Sequence, residues 1–234
     1  MNFKMIGRFM AQIILIEGVF LLPALGISLF CDEPGAVRGF LYTLAIMLLL
    51  GGGLFLFCRK AGKLFGAREG LVCVGFSWIV MSLLGCLPFW ISGEIPKFVD
   101  AFFEIVSGFT TTGASILNDV EALSHACLFW RSFSHWIGGM GVFVFLLIVL
   151  PLTGGSNMHL MRAESPGPSV GKLVPKVRET AKILYLIYIV MTIVEIVILL
   201  CGKMPLFDAI TLAPCISCSS LFLTFFFFSR KVWQ

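Results

Sequence analysis

Residues 102–115 read FFEIVSGFTTTGAS. Apolar runs of membrane length flank this stretch at 71–92 and 126–150, but it is too short and too polar to cross a bilayer itself. An apolar half runs straight into Thr110, Thr111, Thr112 and Gly113. Non-helical backbone survives at membrane depth only where it is buried in protein or lines a water-filled cavity. A re-entrant helix followed by a Thr/Gly segment is how a cation filter presents backbone carbonyls to a dehydrated ion. Pro96 is a start signal, and the spacing of Phe98, Phe102, Ile105 and Phe109 predicts a short helix over 98–109 with one packing stripe. Its C-terminal end, at Gly108 or Phe109, carries partial negative charge that favours a nearby cation. Thr110 to Gly113 are expected to follow in extended form, with Gly113 free to take positive φ. Neutral oxygens there suit a monovalent cation, whereas a divalent one calls for carboxylates.

Composition points the same way. Of 234 residues, 59% are hydrophobic and 13% charged, about half the ~25% of a soluble domain. The mean hydropathy is +1.00. These values specify an integral membrane protein, and apolar runs of membrane-spanning length make it an all-α one. The net charge of +4 does not imply nucleic acid, because the basic residues fall in the linkers. Of eight cysteines, Cys58, Cys73, Cys86, Cys127 and Cys201 lie in or beside apolar runs, where Cys acts as a small hydrophobe. Cys215 and Cys218 form a CxxC with no second Cys or His pair, so neither a metal site nor a disulfide framework follows.

Five spans are expected, at 10–30, 38–58, 71–92, 126–150 and 183–201. The first has no small-residue cleavage site and reads as a span, not a signal peptide. The N-terminus, the 59–70 loop and the 151–182 loop carry eleven basic residues against four on the opposite side. This bias places the N-terminus in the cytoplasm. The alternation closes only if 98–115 enters and leaves from the outer side, which makes it re-entrant.

Together, FFEIVSGFTTTGAS, WRSFSHWIGGMGVFVFLLIVLP at 130–151 and RAESPG at 162–167 resemble the TrkH/KtrB family of bacterial potassium-uptake proteins, and LFDA at 206–209 fits the start of a further pore helix. The resemblance covers residues 1 to about 213. It implies helix–pore loop–helix repeats arranged around one K⁺ pathway in a bacterial plasma membrane, with no covalent chemistry and no cofactor beside the transported ion. Residues 1–70 would be two preceding helices, 71–150 the first repeat, 151–182 a cytoplasmic loop and 183–213 the start of the second repeat. By the same resemblance, Thr111 and Thr112 are the leading K⁺ ligands, flanked by Thr110 and Gly113. It also implies a homodimer and a ring of nucleotide-binding TrkA/KtrA-type regulatory subunits docked on the 151–182 loop.

Residues 214–234, PCISCSSLFLTFFFFSRKVWQ, depart from the family. They lack the expected second Thr/Gly filter, and a truncated or frameshifted frame near Ala213 is expected, with a chain that does not conduct alone. A non-conducting structural or interaction fragment is the alternative.

Other residues invite a role. Gly138, Gly139 and Gly141 make a small-residue helix face suited to packing or to gating. Glu17 and Glu195 are acids inside apolar runs. Glu104 is expected to tie the pore helix to a neighbour. Arg131 and His135 are expected to form a polar cluster at the outer mouth. His125, His135 and His159 are too scattered for one catalytic site, and GGGLF at 51–55 is membrane helix, not a phosphate loop.

Overall fold

A computed structural model describes residues 3–58, 67–153 and 170–216. The basic stretches 59–66 and 154–169, with His159 and RAESPG, and the tail 217–234, with Cys218, lie outside the described residues. The described part is helical: α1 Phe3–Phe30, α2 Pro34–Phe57, α3 Ala67–Gly85, α4 Leu87–Ser92, α5 Phe98–Phe109, α6 His125–Thr153 and α7 Val170–Cys201, then α8 Leu206–Ile216. The chain divides into two units, Met1–His135 and Trp136–Gln234.

In the first unit α1 and α2 form an antiparallel hairpin. Glycines set its spacing: an added Cβ on Gly7 would meet Cys58, one on Gly51 would meet Ile14 and Leu15, and one on Gly18 would meet Leu44 and Met47. Asp32 makes the turn at φ 53, and Glu33 N–H donates to Ser28 O at 3.1 Å, closing the end of α1. Helix α2 packs on α4, α1 on α3, and α5 against α3 and α4. Gly39 permits the α2–α4 approach, since a Cβ there would stand 2.8 Å from Pro88 O.

The apolar run expected as one span at 71–92 is broken at Cys86. Pro88 has no N–H to continue the ladder and starts α4 instead. Ladder bonding resumes with Trp90 N–H to Cys86 O at 3.2 Å. Residues Val72–Ser92 still have the length and apolarity of one crossing, as do Ile6–Phe30 and Pro34–Phe57. Much of this apolar surface faces outward, including Ile16, Val19, Leu22, Leu41, Leu48, Leu49, Leu50, Phe76 and Ile79. Helices that are apolar all round and left uncovered by protein suit lipid.

In the second unit α6 and α7 meet through Trp136 and Tyr188, stacked at 5.6 Å. Tyr188 hydroxyl donates to Trp136 O at 3.2 Å, and Trp136 Nε1–H donates to Thr192 Oγ1 at 3.2 Å. Two boundaries differ from expectation. The 151–182 loop is shorter, because α6 continues to Thr153 and α7 begins at Val170. Hydropathy marks only the part of a helix that needs hydrocarbon, so the charged start of α7 was invisible to it. Helix α8 runs on through Pro214 to Ile216, three residues past Ala213, the expected point of departure from the family.

Candidate functional site

The helix expected over 98–109 is α5, Phe98–Phe109. It buries Ala101, Glu104, Ile105, Ser107, Gly108 and Phe109. Phe109 packs edge-on against Trp130 of α6 at 6.4 Å and against Trp78 of α3 at 6.5 Å. Trp130 Nε1–H donates to Gly85 O at 2.9 Å, tying α6 to the end of α3 just before its break. Gly108 allows α5 to approach α6 closely: a Cβ there would stand 2.0 Å from Ser134 Oγ and 3.2 Å from Ser134 Cβ.

The expected extended run at 110–113 instead begins with a turn at Thr110 and Thr111. Thr111 takes φ 58 and Gly113 φ 74. With Thr111 left-handed, the chain folds back on the helix end. Thr110 N–H donates to Val106 O, Thr111 N–H to Gly108 O and Thr112 N–H to Ser107 O, at 2.9, 2.9 and 3.0 Å. The Thr112 bond is the six-to-one closure of a Schellman cap, usually built on glycine. Thr110 Oγ1 gives its single proton to Val106 O at 2.7 Å. It therefore accepts from Thr112 Oγ1 at 2.9 Å. Among the described residues no hydrogen bond reaches the carbonyls of Thr110, Thr111, Thr112 or Gly113. Four successive carbonyls without an internal partner follow the C-terminus of a short helix.

The chain leaving this turn is clasped to α5. Ser107 Oγ donates to Ala114 O at 2.5 Å. Glu104, 1% exposed, accepts from Ser115 Oγ at 3.0 and 3.1 Å, from Ile116 N–H at 3.0 Å and from Arg131 Nε at 2.5 Å. One carboxylate thus joins α5, the segment that follows Gly113 and α6. The guanidinium balances its charge, so this buried clasp is close to neutral.

Glu104 therefore ties the helix to a neighbour as expected, and Arg131 is that neighbour. Arg131 and His135 are polar neighbours, as expected, but both are turned inward. The His135 ring is buried and its Nδ1 lies 3.0 Å from Arg131 O on the same helix, while the Arg131 guanidinium is engaged by Glu104. Gly138 and Gly139 are buried and Gly141 half-buried on the later part of α6. Glu195 is half-buried on α7. Both Glu17 carboxylate oxygens are buried with no hydrogen-bond partner among the described residues, and Oε1 lies 3.0 Å from where a Gly85 Cβ would sit. Cys31, Cys58, Cys73, Cys86, Cys127, Cys201 and Cys215 are free thiols.

Sequence reading missed Ser107, Ser115, Ser134 and Trp130. It also missed the anchoring of the α6 N-terminus. There Ser124 donates through N–H and Oγ to Glu94 at 3.0 and 2.5 Å, while His125 and Ala126 N–H donate to Glu33 at 2.9 and 3.3 Å. Orphan donors of a helix start are met by carboxylates from two other segments. The available signal was polar residues isolated in apolar runs, each needing a partner.

A family model described as TrkH, cation transport protein, matches residues 37–208. The Trk system potassium uptake protein TrkH of Salmonella typhimurium is 41% identical over 214 residues, covering 90% of this chain and 44% of that protein. TrkG of Escherichia coli K12, also a Trk system potassium uptake protein, is 38% identical over 192 residues, covering 81% and 39%. The crystal structure of the potassium transporter TrkH from Vibrio parahaemolyticus superposes with a TM-score of 0.75 at 30% identity, covering 92% of this chain and 42% of that one. The chain thus spans less than half the length of the relatives it matches.

Proposed function

The chain belongs to the TrkH family of cation transport proteins, and from that membership we propose that it supplies one filter segment of a K⁺ pathway. The observation that carries this reading is the run of four unbonded carbonyls, Thr110, Thr111, Thr112 and Gly113, held at the C-terminus of α5. A dehydrated K⁺ needs oxygens in place of its water shell. Carbonyls already used in a helix or cap cannot supply them fully. The α5 dipole adds partial negative charge at the same end. Because Arg131 neutralises Glu104, the local field is that of dipoles, which suits a monovalent ion and does not hold a divalent one. Thr111 and Thr112 are the central ligands, and Thr110 and Gly113 flank them.

One such segment covers about a quarter of an ion's surroundings, so conduction requires further segments around the same axis. Transport is passive or gated, and the protein is not an enzyme. Gly138, Gly139 and Gly141 give α6 a stretch of low side-chain bulk suited to gating. The N-terminus lies in the cytoplasm of a bacterial cell, in the inner membrane, so the segment between α6 and α7 faces a TrkA/KtrA-type regulatory subunit. The whole transporter is a homodimer.

A graft tests the filter reading. Residues 98–131 replace the corresponding segment of a full-length TrkH in a K⁺-uptake-deficient host, and growth is followed at limiting K⁺. Retained uptake is expected. The reading fails if the graft inserts at normal levels yet transports no K⁺.

A further inference from the structure

At the outer end of the α1–α2 hairpin, three side chains of different chemistry converge. Ligand atoms of Cys31, Glu33 and His125 all lie within 4.8 Å of one another. They come from both sides of the hairpin turn and from the first residue of α6, 92 residues further on. Left-handed Asp32 lies between Cys31 and Glu33, with φ 53.

We propose that these three residues form a binding site for Zn²⁺ or a metal of the same class. A thiolate, an imidazole and a carboxylate are the donor set of a four-coordinate zinc whose fourth position holds water. Harder Ca²⁺ or Mg²⁺ would want oxygens alone. His125 Nδ1 and Glu33 Oε1 are 2.9 Å apart, close to the ~3.3 Å that separates two ligand atoms bound at about 2.0–2.1 Å to one tetrahedral zinc. Cys31 completes the set by side-chain rotation, which its exposure permits. Glu33 can serve as ligand and keep capping α6, since its two oxygens accept backbone N–H groups from His125 and Ala126 and a carboxylate has about four lone-pair positions. Coordination would replace the His125 Nδ1 contact with Glu33 and release the Cys31 proton to solvent. The bound metal would bridge the hairpin turn to the start of α6, on the rim beside the filter loop.

Alkylation of individual cysteines, read by mass spectrometry on the full purified chain, tests the site. Cys201, exposed and outside the cluster, is the internal control. Micromolar Zn²⁺ is expected to slow Cys31 modification by about tenfold or more, because a metal-bound thiolate is no longer a free nucleophile. Cys201 should be unaffected, Mg²⁺ should have no effect, and EDTA should reverse the protection. Glu33→Gln keeps one acceptor oxygen for the α6 cap, and His125→Ala leaves the backbone donors in place; each should abolish protection. The proposal is overturned if Zn²⁺ leaves Cys31 unprotected, if it slows Cys31 and Cys201 alike, or if protection survives both variants.

Discussion

A single side chain, Glu104, fastens the chain that follows α5 both to α5 itself and to α6. Its carboxylate accepts from a hydroxyl, a backbone N–H and a guanidinium. Removing one partner of a buried ion pair leaves an uncompensated charge and costs about 3–5 kcal/mol, whereas removing both can be nearly neutral. Glu104→Gln and Arg131→Met should each lower the thermal midpoint in detergent. The double variant should be less damaging than the sum, with a coupling of about 0.5–3 kcal/mol. Strict additivity would show that the clasp is not a unit. Thr111 makes a related point. A β-branched residue in the left-handed region is a backbone outlier, and strain of this kind clusters at functional sites. Glycine would take the cap more easily, but it would free the carbonyls that the cap holds in place. Both features were half legible in the sequence. A lone acid in an apolar helix demands a partner, but which base supplies it depends on a fold that only the packing of α5 on α6 determines.

At the scale of elements, close approach decides which helix can sit where. Gly108 has no room for even a methyl group: the added Cβ would be 2.0 Å from Ser134 Oγ and 3.2 Å from Ser134 Cβ. The hydroxyl can rotate away by giving up its 2.6 Å bond to Arg131 O, but the Cβ moves only with α6. Gly108→Ala should therefore destabilise by about 1–3 kcal/mol. Ser134→Gly added to it should recover part of that loss, although glycine inside a helix itself costs about 1 kcal/mol. Thermal unfolding of the single and double variants measures both effects. The helices themselves were plain in the sequence, because apolar runs and basic linkers leave few alternatives for a chain in a bilayer. The break at Cys86 and the turn at Thr110 and Thr111 were not. Pro88 sits inside an unbroken apolar run that hydropathy averages over, and a threonine in a glycine's conformation contradicts local propensity.

For the molecule as a whole, the order of segments does most of the positioning. Three acids, Glu33, Glu94 and Glu104, come from different segments and each fastens one point on the loop after α5 or on the start of α6. The loop is therefore held at 115–116 and again at 124, while the residues between make only local bonds, such as Glu121 N–H to Asp119 and Leu123 N–H to Val120 O. Both neighbours of the 121–122 peptide bond are exposed. That short stretch is slack rope between two cleats. A flexible epitope inserted between Glu121 and Ala122 should leave the thermal midpoint and the K⁺ uptake of a grafted relative unchanged, since doubling a loop's length costs only about 0.6 kcal/mol. A drop in either would mean that the rope is under tension. If it is slack, an antibody to the epitope would report from outside the cell which way the chain is threaded, without disturbing residues 110–113.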